Sequence, residues 1–165
     1  MAIVALNSLY VIVASSTSGG TAPGGSAAPT GCSLSSPFDL SPYLTAISQE
    51  TMADTPDVTT FGSGGFKAFV AGLKSGTISL SLLNDYAATL VNARIGMNGS
   101  VVPVGSSSLI FIEVRPTSAA RSTSNAGFVC AALNRNYQTF NASVGEVPTA
   151  TWSPQISGGY AELAA

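Results

Sequence analysis

Asp54 and Asp57 are the residues whose spacing first suggests chemistry, because two carboxylates flank Pro56. Paired carboxylates serve as general acid and base in enzymes, and they also bind calcium. Two acids three positions apart around a proline are, however, typical of a turn with solvated charges. We therefore interpret this pair as turn residues rather than as a catalytic or calcium-binding site.

A glycine-rich segment that ends in a lysine follows a few residues later. Gly62-Ser63-Gly64-Gly65 and Lys67 superficially resemble a phosphate-binding loop, but they lack the G-x-x-x-x-G-K-[ST] spacing. The glycines also lie between two short apolar runs, residues 57–61 and 66–71, instead of preceding a helix. The pattern predicts a hairpin with a flexible tip.

Residue counts exclude most other chemistry. The chain has no histidine, which excludes Ser-His-Asp and Cys-His catalysis and any metal site with a histidine ligand. Its two cysteines, Cys32 and Cys130, cannot form a four-thiolate site. Two unpaired thiols are the default, and a disulfide between them is the alternative. We expect no enzymatic activity, no cofactor and no metal.

Charge is scarce in this chain. Only 8% of the 165 residues are charged and 45% are hydrophobic, whereas ordinary soluble domains carry about a quarter charged residues. The net charge is −2 and the six basic residues are dispersed, which argues against binding to nucleic acid or to anionic membranes. We expect a single domain over residues 1–165 whose surface is covered by other protein or coated with Ser, Thr and Gly.

Short alternating or apolar runs predict seven to nine strands. The runs lie at residues 3–14, 77–83, 109–114, 127–133 and 149–156, with an edge strand at 160–163 and a helical or 3-10 turn running into a strand over 41–52. One helix is expected over about residues 85–96, after the capping pair Asn84-Asp85. The fold class is mainly β: an antiparallel β-sandwich or small barrel with one flanking α-helix and extended loops.

Two N-terminal segments need separate interpretation. The apolar run 3–14 resembles a signal peptide, but no Lys or Arg precedes it and polar residues interrupt it, so a first strand is favoured. Residues 15–37 are rich in Gly, Ser and Ala and carry no charge. They are interpreted as a surface insertion or as an arm that orders against a neighbouring subunit.

Several motifs together resemble the tail tube (major tail) proteins of long-tailed bacteriophages. The motifs cover about three quarters of the chain, in order: DLSPYL at 39–44, DVTTFG at 57–62, AGLKSGT at 71–77, NDYAA at 84–88, EVRPTSA at 113–119, SVGE at 143–146 and ATWSP at 150–154. The resemblance implies a β-sandwich that assembles into hexameric rings. These rings stack into a hollow tube through which the genome leaves the virion.

The resemblance also implies partners and positions. The partners would be further copies of the chain, with tape measure, tail terminator and distal tail proteins, in a virion tail assembled in the bacterial cytoplasm. DNA would pass through the lumen without specific binding, and no membrane would be involved. Long non-contractile tails are favoured over contractile ones. A capsid decoration protein and a carbohydrate-binding or adhesin-like module remain the alternatives.

Two groups of residues are then expected to matter for assembly. A loop that stacks one ring on the next would comprise Asp57, Phe61, Gly62, Gly64, Gly65, Phe66 and Lys67. Since a wall that lets DNA slide should repel phosphate, acids are expected to face the lumen, namely Asp54, Asp57 and Glu146.

Overall fold

Nine strands and one short helix make up the part of the chain that the computed structural model describes. That part comprises residues 9–15, 37–62, 64–85, 91–96, 103–120, 122 and 125–163, the last six as backbone only. The elements are β1 (Tyr10–Ser15), β2 (Phe38–Asp39), a 3-10 turn (Ser41–Tyr43), β3 (Leu44–Ala53), β4 (Lys74–Leu83), α1 (Val91–Ile95), β5 (Leu109–Arg115), β6 (Gly127–Leu133), β7 (Tyr137–Asn141), β8 (Thr149–Trp152) and β9 (Gln155–Leu163).

The strands form one antiparallel sheet that curls into a half-barrel. Its order is β2-β1-β5-β6-β9-β4-β8-β7, and β3 pairs with the other edge of β4. Strand β4 is thus the hub: its first half pairs with β9 and its second half with β8. The predicted fold class, mainly antiparallel β with a helix, is confirmed.

The core lies on one face of the curled sheet. Ile78, Leu80 and Leu82 are buried on β4, as their alternation with serines predicts. Trp152 from β8 packs in the same cluster. Helix α1 closes the cluster with Val91 and Ile95, which are both buried.

Strand β5 is buried on both faces, as its continuous apolar run predicts. Its one acid, Glu113, is also buried. Its Oε1 forms an ion pair with Arg115 Nε, 3.2 Å away. The Arg115 guanidinium also lies over the ring of Tyr10, 4.7 Å from its centroid. These contacts join β5 to β1 and compensate a carboxylate that would otherwise be costly to bury.

The DLSPYL motif joins the first strand to the 3-10 turn. Asp39 Oδ1 accepts hydrogen bonds from the Ser41 amide, at 2.9 Å, and from the Ser41 hydroxyl, at 2.6 Å. The Ser41 hydroxyl oxygen in turn accepts the Val11 amide at 2.9 Å. The predicted turn running into a strand is therefore confirmed, and the motif has a structural role.

The C-terminal strands differ from the prediction. The run 149–156 is two strands, because the chain leaves the β7–β8 pairing at Ser153-Pro154 and continues as β9 beside β6 and β4. Proline has no N–H for a ladder, which favours the break there. Residues 160–163 are the second half of β9 and pair with β6, whereas the pairing of β9 with β4 involves Gln155 and Ile156. Strands β2 and β7 were not predicted.

Other predictions fall partly outside the described residues. The expected helix over 85–96 is described only from Val91 to Ile95, and the first strand only from Tyr10. The Gly/Ser/Ala-rich segment and Cys32 also lie outside the described set, apart from the segment's two ends at residues 15 and 37. Cys130 is a buried free thiol on β6.

Candidate assembly surfaces

A long arm extends the β3–β4 hairpin beyond the regular ladder. The ladder ends at the pair Ala53–Lys74, and residues 54–73, termed the arm, continue as a looser hairpin. The Asp54 and Gly72 amides bond to the Leu73 and Asp54 carbonyls at 2.9 and 2.6 Å, and the Val58 amide bonds to the Ala68 carbonyl at 2.8 Å. The predicted hairpin is present, and it projects up to about 25 Å beyond the sheet.

Side chains brace the arm near its tip. Asp57 Oδ1 accepts hydrogen bonds from the Thr59 hydroxyl and, at 2.9 Å, from the Thr59 amide. The same Thr59 hydroxyl oxygen accepts the Ala68 amide from the opposite side at 2.9 Å. Lys67 Nζ lies 3.6 Å from Asp57 Oδ2. These bonds, the Thr59 hydroxyl first and then its amide, hold the pKa of Asp57 below its usual value.

Glycines turn the chain at the tip. Gly64 and Gly65 have φ of 62° and 83°, in the left-handed region that other residues rarely adopt. A Cβ added at either would meet no atom within 4 Å, so the positive φ, and not lack of space, is what favours glycine there. The glycines therefore serve the turn and leave the backbone accessible to a neighbour.

The arm carries an unusual load of exposed apolar side chains. Phe66 and Leu73 are each 82% exposed, and Phe61 is exposed completely. The set, termed the arm patch, comprises Met52 at the end of β3 and, on the arm itself, Val58, Phe61, Phe66, Phe69, Val70 and Leu73. Since burying one such side chain is worth about 1.5–3 kcal/mol, covering the arm would release on the order of 10 kcal/mol before the costs of association. Exposed patches of this kind mark interaction surfaces.

A second apolar patch lies at the opposite end of β4. The turn between β7 and β8 presents Val144, exposed completely, and Val147, 66% exposed, on either side of Gly145. Strand pairing places this turn beside the end of β4, where the Asn84 amide donates to the Pro148 carbonyl at 2.9 Å. Leu83, Phe140, Val144 and Val147 form the set, termed the turn patch. Together the two patches contain all eleven large apolar side chains that are exposed among the described residues.

The structure brings most of the predicted assembly residues together. Asp57, Phe61, Gly62, Gly64, Gly65, Phe66 and Lys67 all lie on the outer part of the arm. The predicted lumen acids divide: Asp54 and Asp57 lie on the arm, and Glu146 lies in the β7–β8 turn at the other end of the molecule. Their orientation in an assembly stays a prediction.

Sequence reasoning missed the turn patch. Its only local signal is Val144-Gly145-Glu146-Val147, in which two valines flank a turn glycine with φ of 90°. Phe140 lies on β7, four residues before Val144, whereas Leu83 is distant in sequence and joins the turn only through the pairing of β4 with β8. Met52 and Leu73, which widen the arm patch, were also not singled out.

One open depression elsewhere bears on ligand binding. It has a volume of 330 Å³ and is lined by Leu9, Val114, Arg115, Pro116, Ala126, Gly127 and Phe128. Its single charged side chain, Arg115, is already engaged by Glu113.

Within the described ranges, no group of three or more His, Cys, Asp or Glu is placed to hold a metal ion, and no helix is long and apolar enough to span a membrane.

Comparison with known proteins gives a likeness of fold. No family model and no curated protein sequence matches the chain. Among solved structures, a chain from the virion of a native gene transfer agent particle superposes with a TM-score of 0.55 at 19% identity, over 78% of this chain and 89% of that one. A chain from the six-fold symmetrised baseplate of the anti-feeding prophage does so with a TM-score of 0.58 at 12% identity, over 99% and 98%.

A third superposition, to a chain from the tail of an empty gene transfer agent particle, has a TM-score of 0.48 at 18% identity over 74% of this chain and 83% of that one. The two likenesses above 0.5 establish that this chain shares its fold with components of a gene transfer agent virion and of a prophage baseplate. This agrees, at the level of fold, with the resemblance drawn from the sequence motifs.

Proposed function

We propose that the chain is the repeating subunit of a phage-type tail tube. Copies form six-membered rings that stack into a hollow conduit for genome delivery, and the chain acts as a structural protein without catalysis. The function belongs to the virion tail of a long-tailed, non-contractile phage, and ring assembly takes place in the host cytoplasm.

The exposed arm carries this proposal. A hairpin with an aromatic tip and a scarcity of charge is unfavourable in water, and a second protein surface that covers it removes the penalty. For a protein made in many identical copies, the most abundant surface that could cover the arm belongs to another copy of the same chain. The 8% charge of the whole chain fits a subunit that neighbours enclose on several sides.

The fold likeness supports the proposal from another direction. The match to the prophage baseplate chain extends over nearly the full length of both chains, and that baseplate structure is six-fold symmetrised. The gene transfer agent chain comes from a virion. The six-membered ring proposed here follows the six-fold symmetry of that baseplate.

Charge on the inner wall follows from the conduit role. Six copies at −2 each give a ring of −12, which repels phosphate and lets DNA slide. We expect acids to outnumber bases among lumen-facing residues, with Asp54, Asp57 and Glu146 among them. A cryo-EM reconstruction of the assembled tube tests this expectation, and an inner wall dominated by Lys and Arg would contradict it.

The decisive experiment is negative-stain microscopy of the purified protein. The intact chain should form long hollow tubes, whereas a variant that lacks residues 62–66 should remain as folded monomers or single rings. Circular dichroism verifies that the variant keeps its strands. The substitutions Phe61→Ser and Phe66→Ser should act in the same direction, and Arg135→Ser, at an exposed position between β6 and β7, is the matched control. Tubes of normal length from the deletion variant would refute the proposal.

A further inference from the structure

We infer that the turn patch is the surface that receives the arm of the next copy. This inference rests on the proposed function and deepens it, because it names the acceptor of the stacking arm. The occupant is a second copy of this chain, with its Phe61–Phe66 tip lying against Val144 and Val147. Three observations on the described residues carry it.

The first observation is the position of the two patches. The arm leaves β4 at Lys74 and the turn patch adjoins Leu83, the other end of the same ten-residue strand. The strand rises about 3.3 Å per residue, so the two ends are about 30 Å apart. The arm extends away from the turn, and the two patches therefore cannot cover each other within one copy. They can meet only between copies, and in the stacked tube proposed above that contact is heterologous and runs head to tail.

The second observation is that the two patches account for the exposed large apolar side chains of the described surface. Among the described residues, each patch therefore has only the other as a second exposed apolar surface of comparable size. A contact of arm on arm would bury one patch and leave the turn patch of both copies in water. A contact between the arm of one copy and the turn of the next buries both patches and leaves neither in water. The hydrophobic effect therefore favours this contact.

The third observation is charge complementarity. Lys67 adjoins Phe66 at the tip, and its side chain is 73% exposed even with Asp57 at 3.6 Å. Glu146 is exposed between the two valines of the turn, and it is the only charged residue of that turn. A lysine ammonium has three donors, so Lys67 can bind Glu146 of the next copy while it keeps Asp57. Glycines on both sides, Gly65 and Gly145, let the two backbones approach.

A charge exchange tests the pairing. Lys67→Glu and Glu146→Lys should each raise the critical concentration for tube formation about two- to fivefold per contact at low salt. The double variant Lys67→Glu/Glu146→Lys should restore the critical concentration to near its original value. About 1 M salt should diminish the effects of both single variants and the rescue in the double variant. The control is Arg135→Glu, at an exposed position outside both patches. No rescue in the double variant would overturn the ionic part of the inference.

Cross-linking tests the apolar contact directly. In a Cys32→Ser background, protein with Phe66→Cys is mixed and assembled with protein that carries Val144→Cys, and a short bismaleimide is added. Linked dimers should form in the mixture and far less in either protein alone. The control mixture pairs Phe66→Cys with Ser118→Cys, an exposed position on the loop after β5. Cys130 is buried and does not compete for the reagent.

The outcomes separate this inference from the proposed function. If the intact chain forms no tubes, both fail. If the chain forms tubes that need the arm, but Val144→Ser/Val147→Ser assembles normally and cross-links stay at control level, only the acceptor assignment is wrong. If Val144→Ser/Val147→Ser remains folded and unassembled and the cross-link is specific, the arm docks on the turn.

Discussion

Trp152 donates its indole N–H to the side-chain oxygen of Asn134, 2.9 Å away, and both side chains are buried. The Asn134 amide nitrogen in turn donates to the Ile95 carbonyl at 3.2 Å, at the end of α1. One asparagine thus ties strand β8 to the helix across the core. A buried amide of this kind fixes the position of the helix because no water is available to replace it.

Replacing Asn134 should therefore destabilise the subunit. Asn134→Ala leaves the indole N–H and the Ile95 carbonyl without this partner in the core, so we expect a loss of about 2–4 kcal/mol. Urea unfolding of the arm-deletion variant measures it without interference from assembly. Asn136→Ala, two residues further on and exposed, should change the free energy of unfolding by less than about 0.5 kcal/mol. Equal effects from the two substitutions would contradict this role.

The glycines of the arm tip are expected to differ in importance. Gly65→Ala forces a Cβ onto a residue with φ of 83° and should cost the tip about 1–2 kcal/mol, which weakens assembly. Gly62→Ala is the matched control, since its Cβ would meet only the Thr60 hydroxyl, at an ordinary 3.8 Å. The critical concentration for tube formation compares the two.

Asp57 makes the arm tip resistant to mild acid. Because hydrogen bonds from Thr59 lower its pKa in the folded chain below 3.8, the ionised carboxylate stabilises the tip fully above pH 3.8. That contribution is lost only as the pH falls further, through the lowered pKa. Assembly should thus be constant between about pH 5 and 8. The carboxyl chemical shift of Asp57, followed by NMR, should show a midpoint below 3.8; a midpoint at or above 3.8 would contradict the geometry of the tip.

Cys130 should be inert in the folded subunit. Burial raises the pKa of its thiol to about 12, against a lesser opposing effect of a hydrogen bond from the Ile112 backbone. In a Cys32→Ser variant at about pH 8, iodoacetamide should therefore modify the protein only after urea is added, as mass spectrometry can show. Because the folded chain holds the thiol proton more tightly than the unfolded chain, the protonated thiol contributes to the free energy of unfolding. That contribution is complete below pH 9.0 and falls as the pH rises toward 12. Cys130→Ala should not show that part of the alkaline loss.

Strands with a regular pattern could be predicted from the sequence. Ile78, Leu80 and Leu82 alternate with serines because one face of β4 is buried, and 127–133 is apolar throughout because neither face of β6 is exposed. The prediction of a single strand over 149–156 was wrong because β8 and β9 have similar composition. Only their pairing with different neighbours separates the two strands. Strand β7 escaped prediction because Phe140, one of its two aromatic residues, faces water.

The assembly surfaces were predictable to different degrees. The arm tip is recognisable by glycines between phenylalanines, a local pattern that needs no tertiary information. The turn patch combines three side chains from residues 140–147 with Leu83, which only the pairing of β4 with β8 brings beside them. Patterns in sequence report on contacts within an element; a surface made by several elements becomes visible only when their register is known.

The placement of the arm at one end of β4 has a consequence for growth. In a polymer built by head-to-tail contacts, one terminus always presents free hairpins and the other free β7–β8 turns, so the filament is directional. The two termini are chemically different and cannot be closed by the same protein. A terminator that mimics the turn would stop extension at one end, and an initiator that mimics the arm would be needed at the other.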